Sequence, residues 1–330
     1  MKILIVGAAG MIGRKLVERL ARDGAIGDAA ISHADLVDIV EPSAPRDAPF
    51  TTTTTAVDIG AAYIAPKLIA AEPDAIFLLA SIVSGEAESD FEKGYAINLD
   101  GTRAVFEAIR QRHLGANGQY RPRVLFTSSI AVFGAPFPAK INDEYFSTPL
   151  TSYGTQKAIS ELLLADYSRR GFFEGVGIRL PTICVRPGKP NLAASGFFSN
   201  IIREPLAGKE AVLPVSEDVR HWHASPRSAV GFLIHAASLD TARLGPRRNL
   251  TMPGVSVTVG EQIEALRKIA GEAVVSRIRR EPNEMIARIV SGWPSNFDAK
   301  RASGLGFEVE ANFEDIIKNH IEEEHGGRIG

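Results

Sequence analysis

Tyr153 and Lys157 stand four residues apart in Tyr153-Gly154-Thr155-Gln156-Lys157, a spacing that puts both on one face of a helix, one turn apart. An ammonium at that distance favours the phenolate, and a phenolate can take a proton from a hydroxyl group. A free phenol has a pKa of about 10, and bringing it to about 7 takes roughly 4 kcal/mol of preferential stabilisation of the anion. One lysine supplies only part of that, so a second positive charge is expected nearby. The spacing alone also fits an exposed helical pair with no chemistry. Its weight comes from Ser129 and from a glycine-rich turn at Gly7, both upstream.

The turn is Gly7-Ala8-Ala9-Gly10-Met11-Ile12-Gly13. It follows an apolar strand-like run and opens a helix-like one, the context of a dinucleotide site. Gly7 permits the tight turn, Gly10 lets a pyrophosphate approach the backbone, and Gly13 permits close helix–strand packing. The helix start at Met11 and Ile12 offers amides and a positive dipole end to the phosphates. A structural turn is the alternative. Asp38, ending the second strand, suits the adenosine ribose hydroxyls and would repel a 2′-phosphate, so NAD is expected over NADP. Asp58, with Ile59 beside it, follows the third strand. Its carboxylate is expected at the adenine amino group or as a helix N-cap. Leu79, Ala80 and Ser81, after the fourth strand, are expected to run beside the cofactor. A bound nicotinamide would supply the second positive charge at Tyr153.

The elements that must hold these residues alternate. Strands are expected at 3–6, 34–40, 51–59, 75–79, 124–127 and 176–180, with helices at 11–23, 90–112 and 152–170. Such alternation indicates an α/β fold, a Rossmann-type doubly wound parallel sheet, and buried parallel strands read as continuous apolar runs. The threonine run 51–55 reads as an edge strand. Beyond Pro181 proline and glycine become dense, with helices expected at 191–208, 260–270 and 312–320. Residues 1–180 are therefore expected to form the NAD-binding domain. Residues 181–330 form mainly a smaller C-terminal substrate-binding lobe, with some segments, such as 227–239, returning to the sheet.

Composition sets wide bounds. The chain has 330 residues, 45% hydrophobic and 23% charged, as in ordinary globular enzymes. A net charge of −2 gives no reason to expect nucleic acid or an anionic membrane as partner. The single cysteine, Cys184, excludes an intrachain disulfide. No apolar run approaches the roughly 18 residues of a membrane span, and a cytoplasmic protein is expected. His221 and His223 flank Trp222 and would point the same way on a strand, but no third ligand is apparent and no metal is expected.

Together these features resemble the extended short-chain dehydrogenase/reductase family, also described as NAD-dependent epimerases and dehydratases. The likeness rests on Gly7, Gly10 and Gly13 as GxxGxxG and on Asn98-Leu99-Asp100-Gly101-Thr102. It rests also on Thr127-Ser128-Ser129 leading into Val132-Phe133-Gly134, and on the Tyr153/Lys157 pair. It covers residues 1 to about 188 strongly and the remainder more loosely. It implies that Tyr153 is the acid/base, that Lys157 holds the ribose and favours the phenolate, and that Ser129 hydrogen-bonds the substrate oxygen, with Ser128 as alternative. It implies a support role for Asn98 at a helix bend or water, and a nicotinamide wall at Pro181 and Ile183. A homodimer is implied too, through a four-helix bundle of the helix after Asp90 and the helix bearing Tyr153.

The chain departs from nucleotide-sugar epimerases after Arg179, where Leu180-Pro181-Thr182-Ile183 replaces a polar, sugar-facing sequence. Its segments at 84–86, 153–159, 180–182, 186–191 and 203–208 instead resemble the D-erythronate dehydrogenases, a small branch of the family acting on a four-carbon sugar acid. That resemblance implies NAD-dependent oxidation of a C2 hydroxyl. Ser84, Thr182, Arg186, Asn191 and Arg220 become candidate substrate contacts, and Ser195 and Arg203 weaker ones. Arginine suits a carboxylate through its bidentate fork; a surface ion pair is the other role open to Arg186 and Arg220. A nucleotide-sugar epimerase with retained NAD and a non-catalytic NAD-sensing protein are the alternatives.

Overall fold

The computed structural model describes residues 1–61, 63–188 and 194–329. The chain forms two compact units. The first comprises Met1–Val132, Thr151–Arg179 and Val230–Thr251. The second comprises Phe133–Leu150, Leu180–Ala229 and Met252–Gly330. Segment 230–251 thus belongs to the first unit, and segment 133–150 to the second.

The first unit is built on a seven-stranded sheet: β1 (Lys2–Val6), β2 (His33–Asp38), β3 (Thr51–Ala56), β4 (Ala75–Leu78), β5 (Arg123–Ser129), β6 (Glu174–Leu180) and β7 (Asn249–Thr251). Their spatial order is β7-β6-β5-β4-β1-β2-β3. Register is parallel at β1–β2, β2–β3, β1–β4, β4–β5 and β6–β7. The order reverses direction between β1 and β4, the switch point outside which doubly wound sheets bind ligands. Ile3 to Val6 and Ala75 to Leu78 are buried throughout, so both faces of the central strands are covered. β3 pairs only with β2 at the sheet edge, and its threonines are partly exposed.

Helix α1 (Met11–Asp23) buries Gly13, Leu16, Val17 and Leu20 at helical spacing. It ends at Gly24, whose left-handed φ of 70° lets its amide reach the Leu20 carbonyl. The continuous helix expected over 90–112 is broken. A short helix, Ser84–Ser89, precedes Asp90, whose side chain accepts the Lys93 amide and restarts the helix at Phe91–Gly94. A π-helical turn, Tyr95–Gly101, then leads into α2 (Thr102–Gly115). Helix α3 (Ser152–Arg169) is capped by Thr151, whose side chain accepts the Gly154 amide. It reverses the usual pattern. Its buried residues include Gln156, Lys157, Ser160, Glu161 and Ser168, while Leu162 is 73% exposed.

In the second unit, Thr182–Ile183 runs parallel to Arg220–Ala224, which pairs antiparallel with Val255–Thr258. Helices Gly196–Leu206, Val259–Ala270 and Phe313–His325 surround a core containing Phe198, Ile201, Leu266 and Ile316. A Thr258–Glu261 capping box starts the second of these helices. Among the described residues no helix is long and apolar enough to cross a membrane.

Candidate active site

The glycine turn joins β1 to α1 at the switch point. Gly7 has φ of +99°, and a Cβ there would lie 2.5 Å from the Ala80 nitrogen. A Cβ on Gly13 would lie 2.1 Å from the Gly7 oxygen. Both glycines are required by the chain's own packing. Gly10 differs: its backbone is ordinary extended chain, and its Cβ would meet only the Gly7 oxygen, at 3.3 Å. The space over Gly10 is a cradle that a side chain would begin to fill. Gly10 caps α1 without a side chain, and the first turn carries no acidic residue, so the helix N-terminus at Met11 and Ile12 suits an anion.

Asp38 leans over this turn. Its Oδ2 accepts the Ala9 amide at 2.9 Å and its Oδ1 the Ile39 amide at 2.7 Å. Asp58 caps no helix: its Oδ1 accepts the Gly60 amide at 2.8 Å, closing a turn, and Tyr63 occupies the following N-cap. Ile59 is buried and lines a small cavity with Val6, Leu78, Ala80, Ile97 and Val105. The Leu79 and Ala80 amides both donate to the Val6 carbonyl, drawing the end of β4 against β1.

The end of β5 separates its hydroxyls. Thr127 Oγ1 donates to the Leu78 carbonyl at 3.0 Å. Ser128 is buried and donates to Glu161 Oε1 at 2.5 Å, and Glu161 pairs with Arg179 at 2.7 Å. Ser129 is half-buried, and its Oγ accepts the Ala131 amide at 3.1 Å. That bond occupies an oxygen lone pair and leaves the hydroxyl proton for another acceptor.

Lys157 is buried, donates from Nζ to the Thr127 carbonyl at 2.8 Å, and lies 5.6 Å from the Tyr153 ring centre. Burial brings its pKa down to about 7, with the Glu161 carboxylate opposing the shift. At neutral pH about half of the ammonium would be charged, so an anion beside it, such as the Tyr153 phenolate, would restore the charged form.

Asn98 sits in the π-turn, a feature common at functional sites. Its Oδ1 accepts the Ser81 hydroxyl at 2.8 Å and the Ile82 amide at 2.9 Å. Its Nδ2 donates to Gln156 Oε1 at 2.8 Å. Gln156, Glu161 and Arg179 were not foreseen as parts of this cluster. The available signal was their position: Gln156 directly precedes Lys157, and Glu161 follows it by one turn. Ser84 is half-buried at the start of its short helix.

The remaining candidates belong to the second unit. Pro181 and Ile183 are buried, on either side of half-buried Thr182. Thr182 Oγ1 and His221 Nε2 share a hydrogen bond of 2.6 Å. The Arg186 guanidinium donates to the Ile183 carbonyl at 3.0 Å and to Ser195 Oγ at 2.9 Å. Arg203 donates to the Arg186 carbonyl at 2.7 Å, which makes it a support. Arg220 takes the ion-pair role, 3.1 Å from Glu261, and donates to the Ser256 carbonyl at 2.8 Å. His221 and His223 turn to Thr182 and Gln262, respectively. Burial drives both imidazoles toward the neutral form, His221 to about 3. Asn191 lies outside the described residues.

Residues 3–225 match the model of the NAD dependent epimerase/dehydratase family. The chain belongs to that family. It is 44% identical over 327 residues to D-erythronate dehydrogenase of Cupriavidus necator, spanning 98% of each chain. It is 42% identical to the Haemophilus influenzae enzyme of the same name, over 98% of this chain and 99% of the relative. A crystal structure titled as the nucleoside-diphosphate-sugar epimerase from Agrobacterium tumefaciens is 64% identical. It superposes with a TM-score of 0.97 over 100% of this chain and 96% of that one. A threonine dehydrogenase of Cupriavidus necator, 22% identical with a TM-score of 0.82, shares the fold. The protein is thus an NAD-dependent oxidoreductase. The open cradle at Gly10, the uncapped start of α1 and the carboxylate of Asp38 fit that cofactor.

Proposed function

We propose that this protein oxidises the C2 hydroxyl of a small sugar acid, D-erythronate, to 2-oxo-tetronate. The observation that carries the proposal is the near-full-length identity of 44% and 42% to two enzymes named for that substrate. Bound NAD supplies the hydride acceptor for C2. Tyr153, as phenolate, takes the hydroxyl proton as the C2–H bond breaks and the C2=O bond forms. Ser129 donates a hydrogen bond to the same oxygen, where negative charge develops. The Lys157 ammonium stabilises the phenolate and holds the ribose. Asn98 supports the strand end that runs beside the cofactor.

In this reading Arg186, oriented by Ser195 and the Ile183 carbonyl, binds the substrate carboxylate, and Arg220 is left to its ion pair. Thr182 and Ser84 meet the remaining oxygens, with Thr182 oriented by His221. Ser129 is favoured over Ser128 because Ser128 already donates to Glu161.

The test is NADH absorbance with a series of four- to six-carbon aldonic acids. D-Erythronate should give sustained NADH formation, and Tyr153→Phe should abolish it while NAD still binds. The name of the 64% identical relative favours a second reading, a nucleotide-sugar epimerase. That reading requires interconversion of UDP-sugars on tightly retained NAD with no net reduction. A homodimer through α2 and α3 goes with either reading. Exposed Leu114 and Leu162 are the apolar residues it would cover, and sedimentation velocity measures it.

A further inference from the structure

Gln156 lies between Tyr153 and Lys157 on α3, and its side chain is fully buried. A buried amide in a helix needs a reason, because an apolar residue of the same size would fill the space without polar atoms to satisfy. Half of the reason is visible. Gln156 Oε1 accepts from Asn98 Nδ2, while its Nε2 has no hydrogen-bond partner among the described residues. The protein itself thus pairs the acceptor end of this amide.

The bond extends in both directions. Asn98 passes it to Ser81 and Ile82, at the end of β4 where the chain runs toward the switch point. On α3, Ser160 Oγ donates to the Gln156 carbonyl at 2.9 Å and reaches the Asn98 carbonyl at 3.5 Å. Thr102 Oγ1 donates to that same Asn98 carbonyl at 3.0 Å. The π-turn is what directs the Asn98 amide inward, since its extra residue breaks the ordinary helical register. Room for Gln156 is built in as well: a Cβ on Gly94 would lie 2.7 Å from Gln156 Nε2.

We propose that Gln156 is a positioning residue for hydride transfer, fixing the helix that carries Tyr153 and Lys157 to the cofactor-side strand end through Asn98. The link ties α3, which carries Tyr153, to the end of β4. A small change in their spacing moves Tyr153 away from the oxygen it must deprotonate, and a misplacement of about 1 Å can cost on the order of a hundredfold in rate. Binding of NAD rests mainly on the glycine turn and Asp38, and so should depend only weakly on this link.

The inference rests on the dehydrogenase reading above, and its test separates the two. Gln156→Met keeps the side-chain length and removes the acceptor. It should lower kcat by about 10- to 100-fold, leave the NAD dissociation constant within about threefold, and raise the isotope effect on kcat with C2-deuterated erythronate. Asn98→Ala should give the same signature, and the double variant should be no slower than the slower single one, because the two residues act as one unit. A role in packing alone would lower the melting temperature and leave kcat per NAD-binding site and the isotope effect unchanged; that result overturns the inference, as does additive loss in the double variant. If Gln156→Met does not fold, Asn98→Ala cuts the same link from its other member, and unchanged kcat there also overturns it. Tyr153→Phe serves as the control: retained turnover in that variant defeats the dehydrogenase mechanism itself.

Discussion

Gly10 and Gly13 look equivalent in the motif, yet their surroundings assign them different work, and replacing each with alanine separates the two. At Gly13 the added methyl carbon would stand 2.1 Å from the Gly7 oxygen and 2.8 Å from the Ala8 Cα. Both are backbone atoms and neither can rotate away. Relief requires α1 to move outward by about 1 Å to reach ordinary contact, a severe overpacking that costs about 3 kcal/mol. For a domain of this size that is a fall of roughly 6–12 °C in melting temperature. At Gly10 the only contact is 3.3 Å, in a backbone conformation that alanine adopts without strain, so the fold should lose about 1 kcal/mol or less. If Gly10 meets the pyrophosphate as proposed, however, the methyl would stand in its path, and the NAD dissociation constant should rise at least about 30-fold, equivalent to about 2 kcal/mol. Thermal unfolding without cofactor and calorimetric titration with NAD measure the two effects. Equal destabilisation by both substitutions, or unchanged NAD affinity in Gly10→Ala, would refute the reasoning.

Lys157→Met should abolish turnover yet stabilise the cofactor-free protein. The folded pKa of about 7 lies below the free value of 10.5, so the wild-type protein loses stability as pH falls from about 10.5 to about 7. The variant should therefore gain on the order of 4 kcal/mol at pH 7, and most of that gap should close near pH 10 in urea unfolding. The same sign applies to His221, whose pKa is lowered from 6.5 to about 3. Between those values the unfolded chain binds the proton and the folded one does not, so acidification from pH 6.5 to 4 should cost about 3 kcal/mol, and His221→Gln should flatten that slope. Arg186→Leu should raise KM for the sugar acid by about 100-fold or more with NAD affinity unchanged, since a charged hydrogen bond to the carboxylate is removed; unchanged KM would move the anchor elsewhere.

The parts of this molecule that were legible from sequence are those whose cause is local. The run Ile3 to Val6, the glycine turn and the apolar stripe of α1 lie within about twenty residues, and each position reports its own requirement. The Tyr153/Lys157 spacing is local in the same way. Features that depend on a distant partner were not legible. Asn98 was expected to support a helix bend, but the π-turn itself is held in place by Ser81, Ile82 and Gln156. The burial of Gln156 and Glu161 is explained only by their bonds to Asn98, Ser128 and Arg179. Strand β7 has three residues and is defined by its pairing with β6. Arg220 was open to a ligand or an acid, and the acid it pairs with, Glu261, lies 41 positions on.

The order in which the sheet is assembled has a consequence during synthesis. Strand β6 ends at Leu180, but its outer neighbour β7 begins only at Asn249. A ribosome adding 5–20 residues per second takes roughly 3–14 s to make the intervening segment. Throughout that interval the nascent sheet presents β6 as an open edge, a ready template for pairing with another chain. Chaperone occupancy on the nascent chain is therefore expected to persist after the whole catalytic helix has emerged and to fall once Thr251 clears the exit tunnel.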